Sequence, residues 1–388
     1  KADRFKKETV KIAKFARAIL RSFFVKGDPG DLPRRETGKQ KRLTDRKRYT
    51  LETNAKMFWT GLSPDEARKA LVNKDKSKKD KRMTLKEAVS KFIKNGDNVG
   101  IGGFVNLRQP MATCHEMIRH GFKDLTLSWQ SAGMAPEILA GAMMVKPEHF
   151  SFKRIELAYW GHESFGLSPA WRFLSERALI EFEDWSNYNM SARFKAGAMG
   201  LPFLPTRGPL AGDIKNTSRT KIMDCPFTGR PIGLVPASNP NVGLIHVHAA
   251  DKFGNCIIRG TDATCPEIAM ASAHTIVTCE QLVSHELIVS SPKDILSPFP
   301  AVDAVVHVPY GAFPGACRRH YYFEGDHIRE LLGLIAPIAK GGSLDGLKAF
   351  YDKYIFGVEN FEQYLDLFPV SKLLAAKAAE AVHCERLA

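Results

Sequence analysis

Residues Val99 to Pro110 read Val-Gly-Ile-Gly-Gly-Phe-Val-Asn-Leu-Arg-Gln-Pro. A short apolar run enters Gly102-Gly103, and Pro110 opens a following helix. The two glycines therefore stand at the carboxyl end of a strand. Lacking Cβ atoms, they let a ligand come within hydrogen-bond distance of bare backbone N–H groups. In open α/β sheets that edge is where ligands bind. The same residues also suit a tight, close-packed turn, and the spacing leaves both readings open. Ser131-Ala132-Gly133 is a second small-residue turn on the same edge, after the apolar run that begins at Leu125.

Other constellations carry less. His246-x-His248 places two imidazoles on one face of a strand, but no third metal ligand has matching spacing, so structural roles are favoured over a metal. Ser284-His285-Glu286 resembles a catalytic triad only as a string. It lacks a nucleophile elbow, and adjacent residues point apart. Seven cysteines are scattered without a Cys-x-x-Cys pair, which argues against a disulfide framework and for a reducing, cytoplasmic compartment. Cys114 and Cys279 sit in apolar patterns that bury inert thiols.

The elements that position the glycines are legible. Thr84 and Glu87 form a capping box, and Leu85, Ala88, Val89, Phe92 and Ile93 follow on one helical face. Helices are expected over 110–119, closed by Gly121, and over 187–199, stopped by Gly200. Strands are expected at 125–128, 155–160, 243–248, 275–278 and 304–308. Strands alternating with helices predict an α/β fold with a largely parallel sheet covered by helices on both faces.

Composition divides the chain. Residues 1–83 hold 26 Lys and Arg against 11 Asp and Glu, a net +15 in a chain of net +14, so the remainder is almost neutral. The reading is a basic, mainly helical extension over 1–83, an α/β domain over 84–370, and a C-terminal helix over 371–388. In the extension, Ile12, Phe15, Ile19 and Phe23 line one side of a helix over 3–24, and Ser63-Pro-Asp-Glu caps a short second helix. The body starts at its own capping box, so it is expected to keep its fold without residues 1–83. The start of the chain does not read as a secretory signal, and no apolar run approaches the ~18 residues of a membrane span. Aromatic residues are not interleaved with the basic ones as stacking platforms, which argues against nucleic acid as the partner.

The glycine run and its surroundings resemble the α (A) subunit of class I coenzyme A transferases, of the glutaconate CoA-transferase type. The resemblance rests on Thr84-Leu-Lys-Glu-Ala-Val, Gly100-Ile-Gly-Gly-Phe, Glu183-Asp-Trp-Ser-Asn, Gly200-Leu-Pro-Phe-Leu-Pro, Thr275-Ile-Val-Thr-Cys-Glu, Val302-Asp-Ala-Val-Val-His-Val-Pro-Tyr-Gly-Ala-Phe-Pro and Phe361-Glu-Gln-Tyr-Leu. These run in order over roughly residues 84–370. The resemblance implies CoA exchange between two carboxylic acids by a ping-pong route, with coenzyme A as co-substrate and no metal. It implies a nucleophilic glutamate on a β subunit, since this chain has no Ser-Glu-Asn-Gly type segment, and an α2β2 or larger assembly. It assigns substrate binding to Gly102, Gly103, Phe104, Asn106, Ser131, Gly133 and Asn187, with Trp129 and Met134 near the acyl group. The glycine N–H groups would serve an oxyanion, so Val at Gly102 or Gly103 is expected to abolish activity without unfolding. The alternative is a CoA-thioester hydrolase or ring-opening lyase on the same fold. Such relatives carry a glutamate where this chain has Asn187. A ligand sensor is a third reading, disfavoured because residues 1–83 hold no DNA-binding helix-turn-helix.

Overall fold

The middle of the central sheet is built from runs that are buried on both faces, as a parallel sheet requires. The computed structural model describes residues 59–385. Seven parallel strands carry the fold: β1 (Asn98–Ile101), β2 (Leu125–Ser128), β3 (Phe152–Leu157), β4 (Glu181–Asp184), β5 (Val242–Ala250), β6 (His274–Leu282) and β7 (Ala304–His307). Their spatial order is β7-β6-β5-β1-β2-β3-β4. Two short strands, Cys256–Ile257 and Ile295–Ser297, extend the sheet antiparallel beyond the end of β5.

Alternation along the strands separates two cores. Leu244, Ile276 and Val306 point into one, and Ile245, Val277 and Val305 into the other. The first is covered by α1 (Leu85–Phe92), α2 (Met111–His120) and α3 (Met134–Val145), the second by α4 (Asn187–Ala198) and α5 (Cys265–Ala271). Thr84 caps α1 with the expected box, and Gly121 closes α2 in the left-handed conformation at φ 84°. The sheet and its two helical layers match the expected fold class. A helix at Val370–Glu385 begins one residue before the expected start. No helix among the described residues is long and apolar enough to cross a membrane.

The sequence pattern does not announce two features. Phe203–Thr206, Lys221–Asp224 and Pro231–Pro236 form a separate three-stranded antiparallel sheet. Residues 59–83, assigned to the extension by their charge, are tied to the body along their length. Leu62 N donates to Asn239 O at 3.0 Å, and Met83 N to Val305 O at 3.1 Å. Lys74 Nζ pairs with Asp303 at 2.7 Å, and Lys81 Nζ donates to Phe299 O and Val302 O at 2.6 and 2.7 Å. Burial lowers the pKa of both lysines. These side chains bury their charge, so net charge misreads what they do. Removing residues 1–83 would strip these anchors, against the expectation that the body needs none of them. The expected helix over 3–24 lies outside the described residues.

Candidate functional site

The carboxyl ends of β1, β2, β4, β5 and β6 share one edge, and the candidate residues gather there. After β1 the chain makes a tight turn in which Phe104 N donates to Leu107 O at 2.9 Å and Leu107 N to Phe104 O at 2.8 Å. Val105 takes φ 50° at its tip, and its N–H donates to Ser131 O at 3.1 Å. The turn thereby docks on the segment that follows β2. A Cβ on Gly133 would lie 2.5 Å from both Asn106 Oδ1 and Val105 O, so only glycine lets the two turns meet. Ser131 Oγ donates to Asn187 Oδ1 at 2.5 Å, which joins the first residue of α4 to the same place. The structure thus brings Gly102, Gly103, Phe104, Asn106, Ser131, Gly133 and Asn187 together. Phe104 is half-buried and stands outside both hydrophobic clusters.

The glycine amides do something other than expected. Gly102 N donates to Leu244 O at 2.8 Å, and Gly103 N to Cys265 Sγ at 3.3 Å. Both N–H groups are turned into the chain, one spent on the sheet ladder and one on a thiol. Gly103 has φ 86°, and a Cβ there would meet Leu107 O, Arg108 O and Gln109 N at 2.7 Å. The close-packed-turn reading explains these glycines, and Val at Gly103 would disturb the fold itself. Gly133 precedes α3 with no side-chain cap, while Gln109 Oε1 accepts from Ala135 N at 2.7 Å in the first turn of that helix. Trp129 and Met134 are not at the surface of the site. Both lie fully inside the first core.

Carboxylates at this edge are held firmly. Glu156 Oε2 accepts from Arg193 Nη1 at 2.8 Å, and Glu156 Oε1 from Arg219 Nη2 at 2.5 Å and Arg154 Nε at 3.1 Å. Glu183 accepts from Arg219 and Arg154, each at 2.7 Å. Thr60 Oγ1 also donates to Glu156, so the stretch before α1 closes this network. Burial opposes ionisation of Glu156, but the charges of Arg193, Arg219 and Arg154 outweigh it and hold the carboxyl below its usual range. Glu280, on β6, accepts from His246 Nε2 at 2.7 Å, Tyr321 OH at 2.6 Å and Tyr310 N at 2.8 Å. Burial likewise opposes its ionisation, and His246, Tyr321 and Tyr310 override it. Glu137 accepts from Trp160 Nε1, Ser168 Oγ and Ala170 N.

The two strand histidines are bonded within the chain. His246 Nδ1 meets Thr278 Oγ1 at 2.8 Å, and His248 Nε2 meets Arg318 O at 2.7 Å. Donor atoms of His246, Glu280 and Cys317 lie within 4.8 Å of one another, a set able to hold an ion only if His246 releases Glu280. Ser284 caps the helix His285–Val289 by accepting from Leu287 N, and His285 turns to Asp251 at 2.7 Å, so the apparent triad does not form.

Sequence reasoning passes over Arg108, although it stands inside the glycine run. Its signal is its position, five residues after Gly103, in a stretch whose backbone packs on that glycine.

The coenzyme A transferase family model matches residues 82–308. The chain is similar to the α-type (A) chain of the 3-oxoadipate CoA-transferase of Pseudomonas knackmussii, at 32% identity over 73% of this chain and 96% of that protein. It is similar to the α-type (A) chain of the glutaconate CoA-transferase of Acidaminococcus fermentans, at 30% identity over 76% of this chain and 94% of that protein. Among solved structures, glutaconate coenzyme A-transferase from A. fermentans is similar with a TM-score of 0.70, at 27% identity over 76% of this chain and 95% of that one.

Proposed function

Because the chain belongs to the coenzyme A transferase family, we propose that it is the α subunit of a heteromeric acyl-CoA:carboxylate CoA-transferase, acting in the cytoplasm as an α2β2 or larger assembly. The observation that carries this reading is the state of the chain's own carboxylates. Glu137, Glu156, Glu183 and Glu280 are each buried and bonded to three or more donors. A carboxylate so engaged is a poor nucleophile, so none of these four is the attacking group, which supports an attacking glutamate on a β subunit.

In the reaction, that glutamate adds to the acyl-CoA carbonyl and expels CoA thiolate, leaving an acyl-glutamyl anhydride. The thiolate then attacks the glutamyl carbonyl, which frees the first acid and leaves a glutamyl-CoA thioester. The acceptor carboxylate reverses the sequence. Each addition places charge on a carbonyl oxygen that needs fixed donors. The amide beside Gly133, at the start of α3 where Gln109 Oε1 caps only Ala135 N, takes over the role first expected of Gly102 and Gly103. Phe104 and Asn106 form the acyl wall. Asn187 holds the Ser131 hydroxyl. As an amide it cannot act as a general base, which favours the transferase over the hydrolase.

Expressing the chain with and without its β subunit and following CoA exchange between two acids tests this reading. Exchange only in the complex is expected. Exchange by this chain alone, or steady release of free CoA, would overturn it.

A further inference from the structure

Arg108 is 0% exposed. Its Nη2 donates to Thr261 O, while Nε and Nη1 are buried and have no partner among the described residues. None of the ion pairs among the described residues includes it, although Arg154, Arg193 and Arg219 are each matched to glutamates. Its neighbours are neutral. Burial raises the Cys265 and Cys317 thiols against the pull of the Arg108 charge, and burial takes His248 down to about 4, with Arg108 adding to the fall. Gln109, the next residue, also leaves its buried Nε2 without an acceptor. The guanidinium lies within hydrogen-bonding reach of the neutral Cys265 thiol, the group that receives the Gly103 amide, and under the exposed turn 259–262, but no anion among the described residues faces it. A buried guanidinium without an anion is costly, and its planar fork suits a carboxylate.

We infer that Arg108 is the carboxylate-receiving residue of this site, taking either the far carboxylate of a dicarboxylic acid or a carboxylate of the partner subunit. The chemistry favours a second carboxylate on the substrate. One carboxylate of the acid becomes the thioester, so only a second one stays charged and needs a cation. This inference rests on the transferase reading. Reaching Arg108 requires the turn around Thr261 to move, since its carbonyl occupies Nη2.

The test compares the reconstituted complex with its Arg108→Gln and Arg108→Lys variants, using glutarate and pentanoate as acceptors. For Arg108→Gln, the ratio of kcat/KM for glutarate to that for pentanoate is expected to fall about a hundredfold, mostly through KM. Arg108→Lys should recover part of that loss. An unchanged ratio with the subunit Kd raised about a hundredfold would place the carboxylate on the partner, which also supports the inference. An unchanged ratio with unchanged assembly would overturn it. So would a Tm for Arg108→Gln well below wild type, because that would show a compensated, structural arginine. If wild type exchanges CoA with no acid, the transferase reading fails. Arg108 is then judged by whether glutarate raises the Tm of wild type and not of Arg108→Gln.

Discussion

The molecule buries arginine in two regions under opposite terms. Beside β3 and β4, Arg154, Arg193 and Arg219 enclose Glu156 and Glu183, and each guanidinium meets a carboxylate. At the glycine turn, Arg108 is buried as deeply but faces thiols, a neutral imidazole and one carbonyl. The first region completes itself. It pins α4 through Arg193, ties Thr60 to the sheet, and so fixes where Asn187 stands. The second region is left incomplete by this chain. Satisfied buried charge is architecture, and unsatisfied buried charge marks the place where another molecule arrives.

The contrast breaks most visibly at Glu156. Glu156→Ala leaves three arginines facing one buried glutamate and should cost about 3–5 kcal/mol of stability, read as a shift in the urea midpoint at constant slope. Arg108→Gln should show no such loss. Equal losses at the two positions would erase the distinction.

Acid titration sharpens it further. The folded pKa of His248 is about 4 against an ordinary 6.5. Between those values the unfolded chain holds a proton that the folded chain refuses. The stability His248 contributes is therefore full above about pH 6.5 and falls as pH drops toward 4, by at most about 3 kcal/mol. Glu156, Glu183 and Glu280 are held below the ordinary 4.5, so their contribution is lost only as pH falls beneath that value. Unfolding measured from pH 7 to 4 should slope in wild type and slope less in His248→Gln, the remainder coming from His115 and His320, whose pKa values burial also lowers. A slope unchanged in the variant would place the sensitivity elsewhere. Ser131→Ala is the mildest change. It removes one hydroxyl bond to an exposed amide and should cost about 1 kcal/mol or less, while CoA exchange by the complex falls about tenfold. Loss of stability without loss of exchange would make Ser131 a purely structural residue.

Much of this is legible in the sequence. Capping boxes at Ser63 and Thr84, glycine stops at Gly121 and Gly200, and β-rich runs at β2, β5, β6 and β7 mark elements whose causes are local. The gathering of Gly103, Ser131 and Asn187 is legible because each follows a parallel strand. The use of the Gly102 and Gly103 amides is not, because Leu244 and Cys265 are more than a hundred residues away in the chain. Arg108 is hidden for the opposite reason. A charged residue in a turn reads as surface, and only packing shows that it is enclosed and unmatched. Lys74 and Lys81 mislead in the same way, since net charge does not say which lysines are buried against Asp303 and backbone carbonyls.

The central claim is that this chain forms half of a transferase site whose nucleophile comes from elsewhere. The most direct measurement is peptide mapping of the complex after incubation with acyl-CoA and no acceptor, with borohydride used to trap the thioester. The account predicts one modified glutamate on the partner subunit and none on this chain. A modified Glu137, Glu156, Glu183 or Glu280, or steady release of CoA with no adduct, would contradict it.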